Sequence, residues 1–142
     1  MTAKLVTGAA GFIGSHVSEK LLERGDKVVG IDNLNDYYPV AFKKENIALL
    51  EKYENFSFVH ADITDLEAVE SLFKKHNITQ IGHLAARAGV RPSIENPYIY
   101  QEANFQGTLN LLEISRQHEV ANFVLSSSSS VYGNSKQIPF RE

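Results

Sequence analysis

The chain has no cysteine, which excludes a disulfide framework and a thiolate zinc site. No apolar run approaches the ~18 residues of a membrane-spanning helix, and the N-terminus has no signal-peptide pattern. The expected setting is therefore soluble and cytoplasmic, with no membrane partner. A basic excess is missing as well: 14 Lys+Arg stand against 17 Asp+Glu, a formal net charge of -3, and without a basic cluster nucleic acid is not an expected partner. There is no internal repeat, and the serine run from Ser126 to Ser130 is too short and too closely bounded by Val124-Leu125 and Val131-Tyr132 to be a linker. His60 and His83 lie at separate strand ends with no second ligand at helical spacing, so both read as satisfied structural histidines and no metal is expected. At 142 residues the chain can bury the core of one domain but is short for a two-domain dinucleotide enzyme.

What is present is organised around Lys4-Leu-Val-Thr-Gly-Ala-Ala-Gly-Phe-Ile-Gly14. Lys4 to Thr7 is the short apolar run of a covered parallel strand, whereas Ile13, Val17 and Leu21 recur at helical spacing, so the period changes across the glycines. Gly8 at the turn permits an unusual φ, Gly11 without a Cβ lets a pyrophosphate approach the backbone, and Gly14 in the first helical turn lets helix and strand pack closely. The free N–H groups of the helix start, around Phe12 and Ile13, then face an anion. Glycine turns also occur for steric reasons alone, but here the flanking strand and helix supply the context that nucleotide binding requires. The spacing differs from G-x-G-x-x-G. Ser15-His16 after the last glycine disfavours an ATP-type phosphate loop.

The first helix is expected from about Phe12 to Arg24, stopping at Gly25-Asp26. Strand two, Lys27 to Ile31, ends at Asp32, about 20 residues beyond the glycines, where a carboxylate accepts hydrogen bonds from both hydroxyls of an adenosine ribose and repels a 2′-phosphate. This favours NAD over NADP; the alternative is that Asp32 caps the turn through Asn33. Asn33 and Asn35 lie near the ribose or serve the turn. A helix follows from about Val40 to Tyr53 with Phe42, Ile47, Leu49 and Leu50 buried.

Phe56 to His60 reads as strand three. Asp62, at its carboxyl end, either accepts from an adenine amino group or forms a turn. Thr64 with Glu67 forms a capping box ahead of a stripe of Leu66, Val69, Leu72 and Phe73. Thr79 to Leu84 is strand four, weakened by Gly82, and Ala85-Ala-Arg-Ala-Gly89 lets backbone approach a ligand. Val90 to Pro97 reads as a loop in which Arg91, with Arg87 before it, either meets an anionic substrate or is solvated. Asn96 caps and Pro97 begins a helix to about His118 with Ala103, Leu111, Leu112 and Ile114 among its apolar positions. Within it Asn104 is either exposed or bonded to the neighbouring loops, and Gly107 marks close packing. Strand five, Asn122 to Ser126, delivers the serines to the same sheet edge. Alternating strands and helices with right-handed crossovers give an α/β, Rossmann-type doubly wound parallel sheet of order 3-2-1-4-5, with the crevice between strands 1 and 4 as the binding site.

Thr7-Gly-Ala-Ala-Gly-Phe-Ile-Gly-Ser-His16, Asp32-Asn33-Leu34, Ala61-Asp62-Ile63, His83-Leu-Ala-Ala86, Asn104 with Gly107-Thr108, and Ser126-Ser-Ser-Ser-Ser-Val-Tyr-Gly133 together resemble the N-terminal half of an extended short-chain dehydrogenase/reductase of the nucleotide-sugar epimerase and dehydratase group. Gly30-Ile-Asp-Asn-Leu-Asn-Asp-Tyr-Tyr38 and Ala88-Gly-Val-Arg-Pro-Ser93 are most similar to UDP-glucuronate 4-epimerases, which invert a sugar carbon by passing a hydride to tightly held NAD and back. The resemblance implies a UDP-sugar substrate and a homodimer at full length. It places the cofactor on Gly8, Gly11, Phe12, Ile13, Gly14, Asp32, Asn33, Asn35, Asp62, Ile63, Leu84, Ala85, Ala86, Asn104 and Ser126. It assigns Ser128 as the catalytic Ser/Thr, sharing the substrate with Arg91. Arg87 stands where the family usually has glutamine, and Gly82 where it has a β-branched residue.

The family's base is a tyrosine with a lysine four residues later on one helix face, the positive charge favouring phenolate. That helix is expected some two dozen residues beyond Val131-Tyr-Gly133, and neither it nor the sugar-binding region lies within the chain. Tyr132-Gly-Asn-Ser-Lys136 matches the spacing, but Gly133-Asn134-Ser135 reads as a turn that cannot align the pair. The expectation is the NAD-binding portion of an epimerase, residues 1–142, truncated after about strand five and inactive by itself. A non-catalytic NAD-binding module or sensor is the alternative, as is a dehydratase or decarboxylase on the same scaffold. A sheet ending at strand five would leave an unprotected edge and favour self-association.

Overall fold

The computed structural model describes residues 2–141. Five strands, β1 (Ala3–Thr7), β2 (Val28–Asp32), β3 (Phe56–His60), β4 (Ile78–His83) and β5 (Asn122–Leu125), form one parallel sheet of order β3-β2-β1-β4-β5. β1 is central, with Leu5 and Val6 wholly buried. The alternation of side chains along each strand sends these neighbours to opposite faces, and two cores result. On one face Leu5, Val29, Ile31 and Ile81 pack with Val69, Leu72 and Phe73 of α3 (Leu66–Lys75) and Leu111 and Ile114 of α6 (Gly107–Gln117). On the other, Val6 and Val28 pack with Leu22 of α1 (Phe12–Glu23) and Ile47 and Leu50 of α2 (Val40–Leu50). Two covered faces account for a β2 buried at every position.

Several local expectations are corrected. α2 ends at Leu50, short of Tyr53, and Phe42 and Leu49 are exposed. Its buried face runs through Lys43, Ile47 and Leu50, so a lysine takes a place the hydrophobic pattern assigned to Phe42. In α1 Val17 and Leu21 pack half-buried against the core as expected, with Ser18 and Leu22 buried beside them, while Ile13 is exposed. The cap of α3 is Asp65, whose carboxylate accepts from the Ala68 N–H at 3.0 Å; Thr64 turns instead to Asp62. Leu66, in the first turn, is exposed.

Val90–Glu95 is a short helix, α4, rather than a loop. Asn96 makes no side-chain cap. The expected single helix is instead α5 (Pro97–Tyr100), a π-helical segment from Gln101 to Gln106, and then α6. In α6 Leu112 is exposed. Gly107 does pack closely, since a Cβ there would stand 2.5 Å from Ile63 Cδ1. π-helical turns recur at functional sites, and this one carries Asn104 toward the loop after β4.

Among the described residues β5 pairs only with β4, and Val124 and Leu125 are exposed on it. An apolar free edge invites pairing with another chain. Sedimentation of the 142-residue chain across a wide concentration range is expected to show self-association, and sharply monomeric behaviour would count against it.

Candidate functional site

The three glycines of the first turn do three different things. Gly8 has φ +68°, which a side chain rarely tolerates, and packs against the backbone of Ala85. Gly14 has no room for a Cβ, because one would lie 2.0 Å from the Gly8 carbonyl oxygen. Gly11 meets only that same oxygen, at 3.2 Å, and is otherwise open. The Gly8 and Ala9 N–H groups bond to the Ile31 carbonyl, and Ser15 N–H makes its bond to Gly11. The N–H groups of Phe12 and Ile13 therefore precede the first intrahelical bond, as an anion-binding helix start requires. They open on a cleft of about 780 Å³, lined by the glycine turn, Asp32, Asn33, Asn35, Asp62, Ile63 and Leu84 to Ala88. The cleft sits at the carboxyl ends of the strands where the strand order reverses.

Asp32 is buried. Its carboxylate accepts from the Ala10 N–H at 3.2 Å and the Leu34 N–H at 2.8 Å, and Lys43 Nζ lies 3.5 Å away. Asp32 thus caps the turn after β2, through the Leu34 N–H, and lines the cleft at the same time. Asp62 accepts from Asn33 Nδ2 at 2.6 Å on one oxygen and from the Thr64 N–H and O–H on the other. Burial pushes its carboxyl up, but these hydrogen bonds, with the charge of Arg87, outweigh it and hold the group below the ordinary carboxylate value. Asn33 Oδ1 in turn accepts from the N–H and side-chain amide of Asn35, so the loops after β2 and β3 are tied together at the cleft.

On the other side a buried relay positions the loop after β4. Thr7 Oγ1 accepts from the N–H groups of Leu84 and Ala85, at 3.1 and 3.0 Å, so its own proton goes to His83 Nδ1 at 2.7 Å. That pattern assigns the proton of His83 to Nε2, which donates to Thr108 Oγ1 at 2.9 Å. Thr108 donates to the Asn104 carbonyl, and the Asn104 side chain holds both the N–H and the C=O of Arg87. Burial pulls the His83 imidazole down from 6.5 to about 4, so it is neutral. The structural reading of this histidine holds. Tyr37 and Tyr100 both donate to the Ala88 carbonyl at 2.7 Å, with the Arg87 guanidinium 5.5 Å from the Tyr37 ring centre.

The cleft lining brings together Gly8, Gly11, Phe12, Ile13, Gly14, Asp32, Asn33, Asn35, Asp62, Ile63, Leu84, Ala85 and Ala86. Phe12 and Ile13 contribute with exposed side chains. Asn104, Ser126, Ser128 and Arg91 stand outside that lining; Asn104 reaches it through the Arg87 backbone, and Ser126 N–H bonds to the His83 carbonyl. Ser128 Oγ accepts from the Ser130 N–H. Tyr132 ends a short 3-10 turn (Ser129–Tyr132) before Gly133 at φ +58°, and its ring stacks on Phe140, so Tyr132 and Lys136 share no helix face. Sequence reasoning passed over Lys43, Tyr37 and Asn46, whose Nδ2 donates to the Ala10 carbonyl at 2.8 Å. For Lys43 the signal was its spacing to Ile47 and Leu50. Among the described residues there is no cluster of His, Cys, Asp and Glu fit for a metal, and no helix long and apolar enough to cross a membrane.

The glycine turn, the carboxylate at the end of β2 and the reversed strand order define a Rossmann-type unit of the extended short-chain dehydrogenase/reductase kind. Residues 5–142 match the family described as GDP-mannose 4,6 dehydratase, and the chain belongs to that family. It is 49% identical over 138 residues to a UDP-glucuronate 4-epimerase of Thermodesulfobacterium geofontis, covering 97% of this chain and 42% of that protein. UDP-glucuronate 4-epimerase 4 of Arabidopsis thaliana is 50% identical over 139 residues, covering 97% and 32%. The crystal structure of the Bacillus cereus UDP-glucuronic acid 4-epimerase in complex with UDP-glucuronic acid and NAD superposes with a TM-score of 0.84 at 39% identity, covering 96% of this chain and 43% of that one. The chain thus spans less than half the length of these relatives.

Replacing Gly14 by Ala forces a Cβ onto backbone and is expected to cost about 2 kcal/mol or more in urea unfolding; an unchanged midpoint would show that the turn has room for a side chain at this position. For His83, the unfolded chain takes up a proton near pH 6.5 and the folded chain only near 4. The unfolded state therefore binds more protons in that window, and stability rises with pH across it, complete above 6.5 and lost as pH falls toward 4. Unfolding at stepped pH should show His83→Gln flattening this rise by up to about 3 kcal/mol. An identical pH slope in the variant would refute the buried neutral histidine.

Proposed function

We propose that this chain is the NAD-binding portion of a nucleotide-sugar 4-epimerase of the UDP-glucuronate to UDP-galacturonate type, which oxidises the sugar transiently at C4. The observation that carries the reading is a single cleft that joins an anion-facing helix start to a buried carboxylate at the end of the second strand. The relatives with UDP-glucuronate 4-epimerase names support the substrate class, and the NAD named with the Bacillus cereus structure supports the cofactor.

The residues fit such a ligand. Gly11 leaves space at the helix start, where the Phe12 and Ile13 N–H groups meet the pyrophosphate. Asp32 receives the ribose hydroxyls with lone pairs left over from its two backbone donors, and Asp62 has acceptor capacity for the adenine amino group beyond its bonds to Asn33 and Thr64. Leu84 to Ala86, held by the Thr7 and Asn104 contacts, supply a wall without bulky polar side chains. NAD, when bound, supplies the hydride acceptor. Ser128 keeps a hydroxyl proton to share with the sugar's 4-hydroxyl, its oxygen occupied by the Ser130 N–H, and Arg91 meets the substrate's negative charge. The separation of Tyr132 from Lys136 favours a chain that binds cofactor without turning over sugar. It equally favours the second reading, a non-catalytic NAD-binding module.

Calorimetric titration of the purified chain is expected to give saturable NAD binding, weakened roughly tenfold or more by Asp32→Asn, which removes charge-assisted acceptance from the ribose hydroxyls. Absence of NAD binding by the folded chain would overturn the proposal. A sugar-turnover assay on the same chain is expected to show no product, and robust epimerisation would restore Tyr132 and Lys136 as catalytic candidates.

A further inference from the structure

Among the described residues Lys43 is the one buried lysine or arginine, and it is buried in the cleft. Its ammonium lies 3.5 Å from Asp32 Oδ1 and 3.3 Å from Asn35 Oδ1, and its side chain is 8% exposed. Two features separate this pair from an ordinary buried salt bridge. First, Asp32 is already served by backbone N–H donors from Ala10 and Leu34, one on each oxygen, so it does not need Lys43 to be hydrogen-bonded. Second, both contacts of the ammonium are long for charge-assisted bonds, and it has three protons to place. A desolvated cation held so loosely is costly unless something else completes it.

The charges around the ribose end point the same way. Asp32 alone would give that end a net negative charge and repel any further anion. With Lys43 beside it the two cancel, while the other charged residues lining the cleft, Glu45, Asp62, Arg87 and Glu102, make no ion pair with either. A 2′-phosphate brings roughly two negative charges and strong acceptor oxygens. It would lose to Asp32 and gain from Lys43.

We infer that Lys43 is a specificity-determining residue of the ribose end, whose ammonium offsets the repulsion from Asp32 so that the chain accepts a 2′-phosphorylated dinucleotide as a second, weaker ligand. The inference rests on the NAD-binding reading. Asp32 then sets the preference for the unphosphorylated ribose, and Lys43 limits how steep that preference is. Arginine at this position would keep the charge, though with a broader, planar head.

The test is calorimetry with NAD and with NADP on the chain and on its Lys43→Gln and Lys43→Arg variants, each checked for folding by circular dichroism. The chain itself is expected to bind NADP more weakly than NAD but measurably. Lys43→Gln is expected to raise the NADP-to-NAD ratio of dissociation constants roughly tenfold, the loss of one charge-assisted contact, and Lys43→Arg to bring the ratio back toward that of the chain. If Lys43→Gln does not fold, Asp32→Asn and Asp32→Asn/Lys43→Gln give the same comparison, with the ratio again rising about tenfold when Lys43 is lost. A ratio unchanged within about twofold on removing Lys43, or NADP binding undetectable in the chain that binds NAD, overturns the inference and leaves NAD binding standing. Failure of the chain to bind either dinucleotide overturns both.

Discussion

The carbonyl of Gly8 occupies the space where a side chain at Gly14 would begin, and the rest of the site follows from that contact. It folds α1 back over the end of β1, so that the helix start points into the crevice between β1 and β4. It also buries Ala9 and Ala10 completely and brings the Ala10 N–H to Asp32. The same turn packs Gly8 against Ala85, so a change at one residue would disturb the helix, Asp32 and the β4 loop together. A constraint made of backbone atoms is stiff, because no rotamer can relax it.

Around that turn the polar groups of the crevice are held in advance of any ligand. Asp62 is fixed by Asn33 and Thr64, the loop after β4 by Thr7, His83, Thr108 and Asn104, and Ala88 by two tyrosines. Among the side-chain nitrogens and oxygens of the described residues only Ser18 Oγ is buried without a partner. Preorganisation of this kind lowers the ordering cost that binding would otherwise incur. Lys43 is the exception in kind, a buried charge whose contacts are long.

The strand pattern, the glycine turn and the acidic residue at the end of β2 were all legible, because each is a local signal: an apolar run, a change of period, a residue at a strand end. The elements that misread did so where local signals compete. Asp65 outcompetes Thr64 as the cap of α3 because Asp62 already holds the Thr64 hydroxyl. α4 forms from a segment rich in loop-like residues, and the single helix expected after Pro97 passes through a π-helical segment. Phe42 and Lys43 exchange their expected places, since the face of α2 that meets the sheet runs through 43, 47 and 50.

By itself, then, the sequence determined the alternation of strands and helices, their order in the sheet and the edge on which the cleft opens, because periodicity and right-handed crossovers are properties of the chain alone. Only the tertiary structure decided which polar residues speak to one another. Thr7 and His83 are 76 positions apart, and Asn33 and Asp62 are 29 apart; Lys43 meets Asp32 from the buried face of α2. Such pairings depend on distances in space that no local pattern encodes, and they set the charge and the rigidity of the site.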